Sequence, residues 1–263
     1  MSNFRTLTIS RRQRITIITL ARPEMLNRFD DDLHVELTDA LAEVSSDSET
    51  LCVVLASTGK VFSAGGSTDL IRCAHSSLQE RLRIIEDARK LLFTLLEVRQ
   101  PIVAAMQGAA VGLGATVVLA CDAVVACRSA HIADPHVRMG VVAGDGGCVV
   151  WPQAAGMMIA KRFLLTGDRM MAEDALRAGL ITDLVEEPSD VLPGACALAD
   201  RIAALPPLAV QLTKRALNRV VLQRAGEAFE LSLAYELTTM GTDDAIEAVD
   251  AFETKRQGRF AGY

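Results

Sequence analysis

Pro101–Asp122 reads PIVAAMQGAAVGLGATVVLACD, and the fold turns on this stretch. Ile102 to Met106 is an apolar run of the kind that forms a buried strand. Gly108, Gly112 and Gly114 interrupt it, and Ala115 to Cys121 resumes as an apolar helical run closed by Asp122. A strand that breaks at glycines and restarts as a helix leaves backbone N–H groups without partners at the helix N-terminus. The helix dipole draws negative charge to that end. Such a turn stabilises an oxyanion without making bonds itself. Two plainer readings stand beside this one. Glycines at such a junction can serve close packing alone. The twenty uncharged residues from Ile102 to Cys121 also have the length of a membrane span, but their central glycine cluster argues against it.

Around this stretch, apolar strands alternate with helical patterns. Strands are expected at Arg14–Leu20, Leu51–Ala56 and Ala123–Ala126. Asp30 caps a helix with Leu33, Leu37, Leu41 and Val44 on one face. Ser76–Val98 reads as one amphipathic helix, and Met157–Leu165 and Ala172–Ala178 as two more, the last stopped by Gly179. This alternation predicts an α/β layer fold over residues 1–189. Residues 190–263 read as a helical C-terminal region of four helices, near 190–204, 207–222, 225–240 and 243–256, with joints at Gly226 and Gly241. The apolar faces carried by Leu208, Leu212 and Leu217, and by Phe229, Leu233 and Leu237, need a cover: the α/β core or another subunit.

Composition narrows the function. The chain has 263 residues, half of them hydrophobic and 23% charged, with a net charge of −6, which argues against nucleic acid as the main partner. The six cysteines lack CxxC spacing and mostly lie in apolar runs, as reduced core residues do. The polar, basic first dozen residues do not read as a secretory signal, so a cytoplasmic location is expected, with no membrane partner.

Two further segments carry candidate chemistry. Gly59–Leu70 (GKVFSAGGSTDL) is a second glycine turn after a buried strand, where Gly65 and Gly66 let backbone approach a ligand. With the turn at Gly112 it can aim two N–H donors at one oxygen. It is not a GxxxxGK[ST] phosphate loop, and Val117 breaks the GxGxxG pattern. Ala133–Trp151 (ADPHVRMGVVAGDGGCVVW) gathers His136, Arg138 and Asp145. Asp145 reads either as a helix cap or as a base beside a helix N-terminus. His136 reads as a satisfied histidine or a general acid–base group, and Arg138 as an ion-paired charge. His34, His75, His131 and His136 lack HxxxH or HExxH spacing, so no metal site is expected. No GxSxG elbow supports a serine hydrolase.

Taken in order, these segments resemble the crotonase superfamily of enoyl-CoA hydratases and isomerases over nearly the whole chain. ARPEMLNRFD (21–30), AGLITDLVEE (178–187) and GTDDAIEAVDAFETKRQGRFAGY (241–263) carry the likeness further. The resemblance implies a crotonase-like spiral of ββα units, a helical trimerisation region, and a homotrimer or dimer of trimers. It implies an acyl-CoA substrate, with coenzyme A as part of that substrate and no separate cofactor. The thioester enolate would be held by the N–H groups of Gly66 and Leu113, and CoA contacted at Arg22, Ala64, Asp69 and Lys255. Hydratases of this family use two glutamates, and Thr116 and His136 stand in their places. The reading is therefore hydration or double-bond isomerisation without the usual pair, with Asp145 taking a proton and His136 returning one. Thioester or C–C hydrolysis, decarboxylation and non-catalytic acyl-CoA binding are the alternatives. Ser67 and Thr68 intrude before Asp69 like an insertion in the first oxyanion turn.

Overall fold

The protein is described by a computed structural model covering residues 4–263. Strand β1 (Leu7–Arg12) pairs antiparallel with β2 (Ile15–Leu20). Helix α1 (Asp31–Ser46) follows, and the Asp30 carboxylate accepts from the Leu33 N–H at its start, as the cap signature predicts. Strand β3 (Cys52–Ser57) is apolar and buried along nearly its whole length. The helix expected over Ser76–Val98 is α3 (Leu78–Glu97), and a further helix, α2 (Thr68–Ser76), precedes it. Ser77 ends α2 and, by accepting from the Glu80 N–H, caps α3. Helix α2 is short and fully buries only Ala74, so periodicity does not announce it.

Strand β4 (Ile102–Met106) is wholly buried, and β5 (Ala110–Val111) is a short step before α4 (Leu113–Leu119). That helix begins two residues earlier than its apolar run suggests, because Gly112, at φ 54°, turns the chain directly into it. Next come β6 (Ala123–Cys127), β7 (His131–Ala133), α5 (Gly147–Ala155), α6 (Met157–Leu164), β8 (Arg169–Met171), α7 (Ala172–Ala178) and β9 (Asp183–Val185). His136 lies on a single 3-10 turn, His136–Met139, not at a strand edge.

The main sheet has the order β1-β2-β3-β4-β6-β9, parallel from β2 onward, and β5-β7-β8 form a second, smaller sheet. Parallel strands send their outgoing loops to the same edge, where α/β proteins bind ligands. The loops leaving neighbours β3 and β4 run side by side: Phe62 N–H donates to Ala109 O at 2.9 Å, and Val111 N–H to Ser63 O at 3.0 Å.

The C-terminal third holds α8 (Pro188–Ala203), α9 (Pro207–Thr239) and α10 (Asp243–Glu253). The joint expected at Gly226 is absent: α9 runs unbroken for 33 residues. One glycine costs a helix only about 1 kcal/mol, which packing over the rest of α9 outweighs. Helix α8 packs on β3, β4 and β6, and α9 on α3 and α5. Phe229 and Leu233 are buried there, whereas Leu208, Leu212 and Leu217 stay 69%, 51% and 65% exposed. Lys214 ties α9 down: its buried ammonium donates to Asp122 Oδ2 at 2.7 Å and Gln100 O at 2.9 Å. No single helix of the described residues is long and apolar enough to cross a membrane.

Candidate active site

The two glycine turns converge on one cavity of about 530 Å³. A Cβ on Gly65, at φ 79°, would come within 2.6 Å of Val111 O, so the turns touch only because this residue has no side chain. Gly66 and Leu113 both line the cavity. Among the described residues, no acceptor engages the N–H of either. For Leu113 this follows from its place at the first position of α4. Ala64 lines the same cavity.

The opposite wall is a cluster of charged side chains. His136 Nδ1 lies 2.5 Å from Asp134 Oδ1, and its Nε2 lies 3.3 Å from Asp145 Oδ2. Thr116 Oγ1 donates to Asp145 Oδ1 at 3.3 Å. Asp134 is fully buried, and His136, Asp145 and Thr116 are at most partly accessible. A Cβ on Gly112 would sit 3.4 Å from His136 Cε1, which places the imidazole beside the second glycine turn. Asp145 is not the side-chain cap of α5: Gly146 holds that position, and the carboxylate faces the cavity instead.

The electrostatics follow from this arrangement. Burial would push the His136 imidazole down, but the charges of Asp145 and Asp134 and their hydrogen bonds outweigh it, holding the ring protonated well above 6.5. Burial likewise acts to raise Asp145. The His136 charge and hydrogen bond, the Gly147 N–H and the Thr116 hydroxyl outweigh it and keep the carboxyl below 3.8. Near pH 7 the wall holds an imidazolium with an aspartate on each ring nitrogen.

The sequence reading missed two members of this group, Asp134 and Glu236 of α9, the second of which lines the cavity and is buried to 3% exposure. Asp134 had a faint signal in DPH, an aspartate two residues before a histidine. Glu236 had none, being one acid in a helix 91 residues from Asp145. Ligand atoms of Asp134, His136 and Asp145 lie within 4.8 Å of one another, a proximity that the missing histidine spacings did not reveal. Both ring nitrogens of His136 are engaged by carboxylates in this arrangement.

The remaining candidates are placed as follows. Thr116 reaches the cavity only through Asp145. Arg22 is bidentate to Asp30, at 2.6 and 2.7 Å, so its guanidinium is already engaged. Asp69 is exposed in the first turn of α2, which Ser67 caps. Lys255 is exposed just after α10. Arg138 pairs with Asp168, the ion-paired reading of that residue. Val141 lines the cavity, whereas Trp151 is core, stacked with its ring centroid 6.1 Å from that of Phe163.

Residues 10–263 match the enoyl-CoA hydratase/isomerase family. The chain is 34% identical over 260 residues to 2,3-dehydroadipyl-CoA hydratase of Escherichia coli, covering 97% of this chain and 98% of that protein. It is 31% identical over 249 residues to short-chain-enoyl-CoA hydratase of Clostridium acetobutylicum, covering 93% of each. A solved enoyl-CoA hydratase/isomerase from Mycobacterium paratuberculosis superposes with a TM-score of 0.90 at 34% identity, covering 95% of this chain and 99% of that one. The chain belongs to the enoyl-CoA hydratase/isomerase family and has the crotonase fold.

Proposed function

We infer that this enzyme turns over an acyl-CoA thioester through an enolate, by hydrating a 2-enoyl-CoA or shifting its double bond. The observation that carries this reading is that Gly66 and Leu113, whose backbone N–H groups have no acceptor among the described residues, line the cavity that holds the ionised Asp145. The thioester oxygen accepts from both N–H groups, which favour it most when charge accumulates there. Asp145 is the base, taking a proton from water or from the carbon chain. Its low proton affinity makes it a weak base in isolation, and enolate stabilisation supplies the missing driving force. Thr116 and His136 hold the Asp145 carboxylate between them. His136 is thereby a positioning group, with no free nitrogen to return a proton. We read Asp134, His136 and Asp145 as a hydrogen-bonded relay, so EDTA leaves activity unchanged.

The names of the relatives, both hydratases, support hydration over hydrolysis or decarboxylation. Coenzyme A enters as part of the substrate, past Ala64 and toward Lys255, and no separate cofactor takes part. The exposed Leu208, Leu212 and Leu217 fit a face covered in a trimer or pair of trimers; light scattering reads the mass directly. The deciding experiment is mass-spectrometric turnover of enoyl-, dienoyl- and β-keto acyl-CoA thioesters, wild type beside Asp145→Asn. Gain of water or a shifted double bond, lost in the variant, is the expected result. Released CoA identifies the hydrolase alternative, and tight binding without product identifies a non-catalytic acyl-CoA binder.

A further inference from the structure

Glu236 is a buried carboxyl with an unmet hydrogen bond. It lines the cavity from α9, and its Oε2 has no partner among the described residues. Asp134 Oδ2 also lacks a partner, but Asp134 is fully buried and does not line the cavity. His136 uses Nδ1 on Asp134 and Nε2 on Asp145, while Asp145 uses Oδ1 on Thr116 and Oδ2 on His136. Of the carboxyls that line the cavity, Asp145 and Glu236, only Glu236 is held by no hydrogen bond among the described residues. Its seat is shaped by Gly144, where a Cβ would come within 2.6 Å of both Cβ and Oε2 of Glu236. Gly144 directly precedes Asp145, so the same turn of backbone seats both carboxyls.

The surroundings favour the neutral acid. The charged and titratable groups facing Glu236 are Asp145, His136 and Asp134 from the loop and Cys148 from α5. His34 of α1 also lines the cavity, and burial pushes its imidazole down, toward the neutral form. Helix α3 contributes the apolar Ile84 and Ala88 to the cavity, and its Arg89 is bound to Glu230. Burial first, and the negative charge of Asp145 second, raise Glu236 well above 4.5. Two neighbouring carboxyls with proton affinities driven apart are the usual arrangement of an acid and a base.

We propose that Glu236 is the catalytic acid: it meets the enolate as a neutral carboxyl, gives its proton to Cα, and is reprotonated from Asp145. This rests on the reading of Asp145 as base. In hydration, the Asp145 carboxylate takes a proton as the water oxygen bonds to Cβ. The electron pair of the C=C bond moves to form the enolate. As the enolate collapses to the thioester, the Cα–H bond forms and the O–H bond of Glu236 breaks. The site is left with a neutral Asp145 and an ionised Glu236, and one proton passing from the first to the second restores it.

The test uses the full chain with crotonyl-CoA and trans-2-decenoyl-CoA, comparing wild type, Glu236→Gln, Glu236→Leu and Asp145→Asn. The readouts are kcat, KM, the pH profile and deuterium incorporation at Cα from D2O. Glu236→Gln is expected to lower kcat about 10²–10⁴-fold with KM nearly unchanged. It is also expected to abolish the alkaline limb of the kcat profile, where the acid ionises. Glu236→Leu carries the same prediction should the Gln variant fail to fold. Wild-type kcat in Glu236→Gln overturns the proposal, as does a raised KM with kcat preserved, which makes Glu236 an acyl-recognition group. An inactive Asp145→Asn beside an active Glu236→Gln overturns this inference alone. A fully active Asp145→Asn, or no turnover of either thioester by wild type, overturns the reading of Asp145 as well.

Discussion

The two walls of the cavity are built by different means. The Gly66 and Leu113 wall is backbone, supplied by two loops that leave adjacent parallel strands and are zipped together by main-chain hydrogen bonds. The His136, Asp145 and Glu236 wall, with Asp134 buried behind His136, is side chain, gathered from a loop and from a helix far along the sequence. A backbone wall tolerates a leucine as readily as a glycine at a donor position, because only the N–H is used. A side-chain wall depends on each residue's identity and on what its neighbours do to its charge.

That contrast predicts which lesions separate activity from stability. The largest effect is expected from Asp145→Asn, a near-isosteric loss of charge. It should reduce kcat about 10²–10⁴-fold while thermal unfolding stays cooperative. Next, Gly65→Ala attacks the backbone wall. A methyl group there meets Val111 O at 2.6 Å, so the turns must separate. The loss of one aligned donor should cost about 10²–10³-fold in kcat, and the strain about 2 kcal/mol of stability. An active and fully stable Gly65→Ala would mean that the two turns do not act as one unit.

A smaller effect is expected from Thr116→Val. It removes the donor to Asp145 Oδ1, a bond to a charged group worth about 1.5–3 kcal/mol. The reaction should slow about tenfold, with the acid limb of the kcat profile moving up as Asp145 loses a partner that keeps it ionised.

The smallest effect is on the pH dependence of stability, where the sign separates the members of the side-chain wall. Glu236 has its folded pKa raised from 4.5, so folding takes up a proton and its contribution worsens as pH rises above that value. Glu236→Gln should therefore raise Tm more at pH 8 than at pH 5, read by calorimetry. His136, also raised, contributes stability that is fully present below about 6.5 and is lost as pH rises through its folded pKa. Asp145, lowered, contributes stability present above 3.8 and lost as pH falls through its folded pKa. Equal shifts in Tm for Glu236→Gln at both pH values would remove the charge argument.

Much of the fold was legible because it rests on local signals. Four of the nine strands among the described residues, β2, β3, β4 and β6, answer to short apolar runs, and the Asp30 cap and the Gly179 stop act within a few residues of themselves. The misread elements are those in which the local signal was weak or outweighed. Helix α2 was missed because it is short and fully buries only Ala74, and Gly226 fails to break a helix held by packing along its length. In the site, the two glycine turns, His136 and Asp145 were readable as candidates, and the structure brings them to one cavity.

The sequence by itself determined the α/β alternation, the two glycine turns and the candidate pair His136 and Asp145, since each depends on residues close along the chain. Only the tertiary structure decided the state of that pair. Asp134 occupies one side of the His136 ring and Asp145 the other, and their charges favour the imidazolium. Only the tertiary structure brought Glu236 to the same cavity, because α9 runs straight through Gly226 and folds back over α5. Proton affinity is a property of burial and neighbouring charge, and neither exists until the chain has closed on itself.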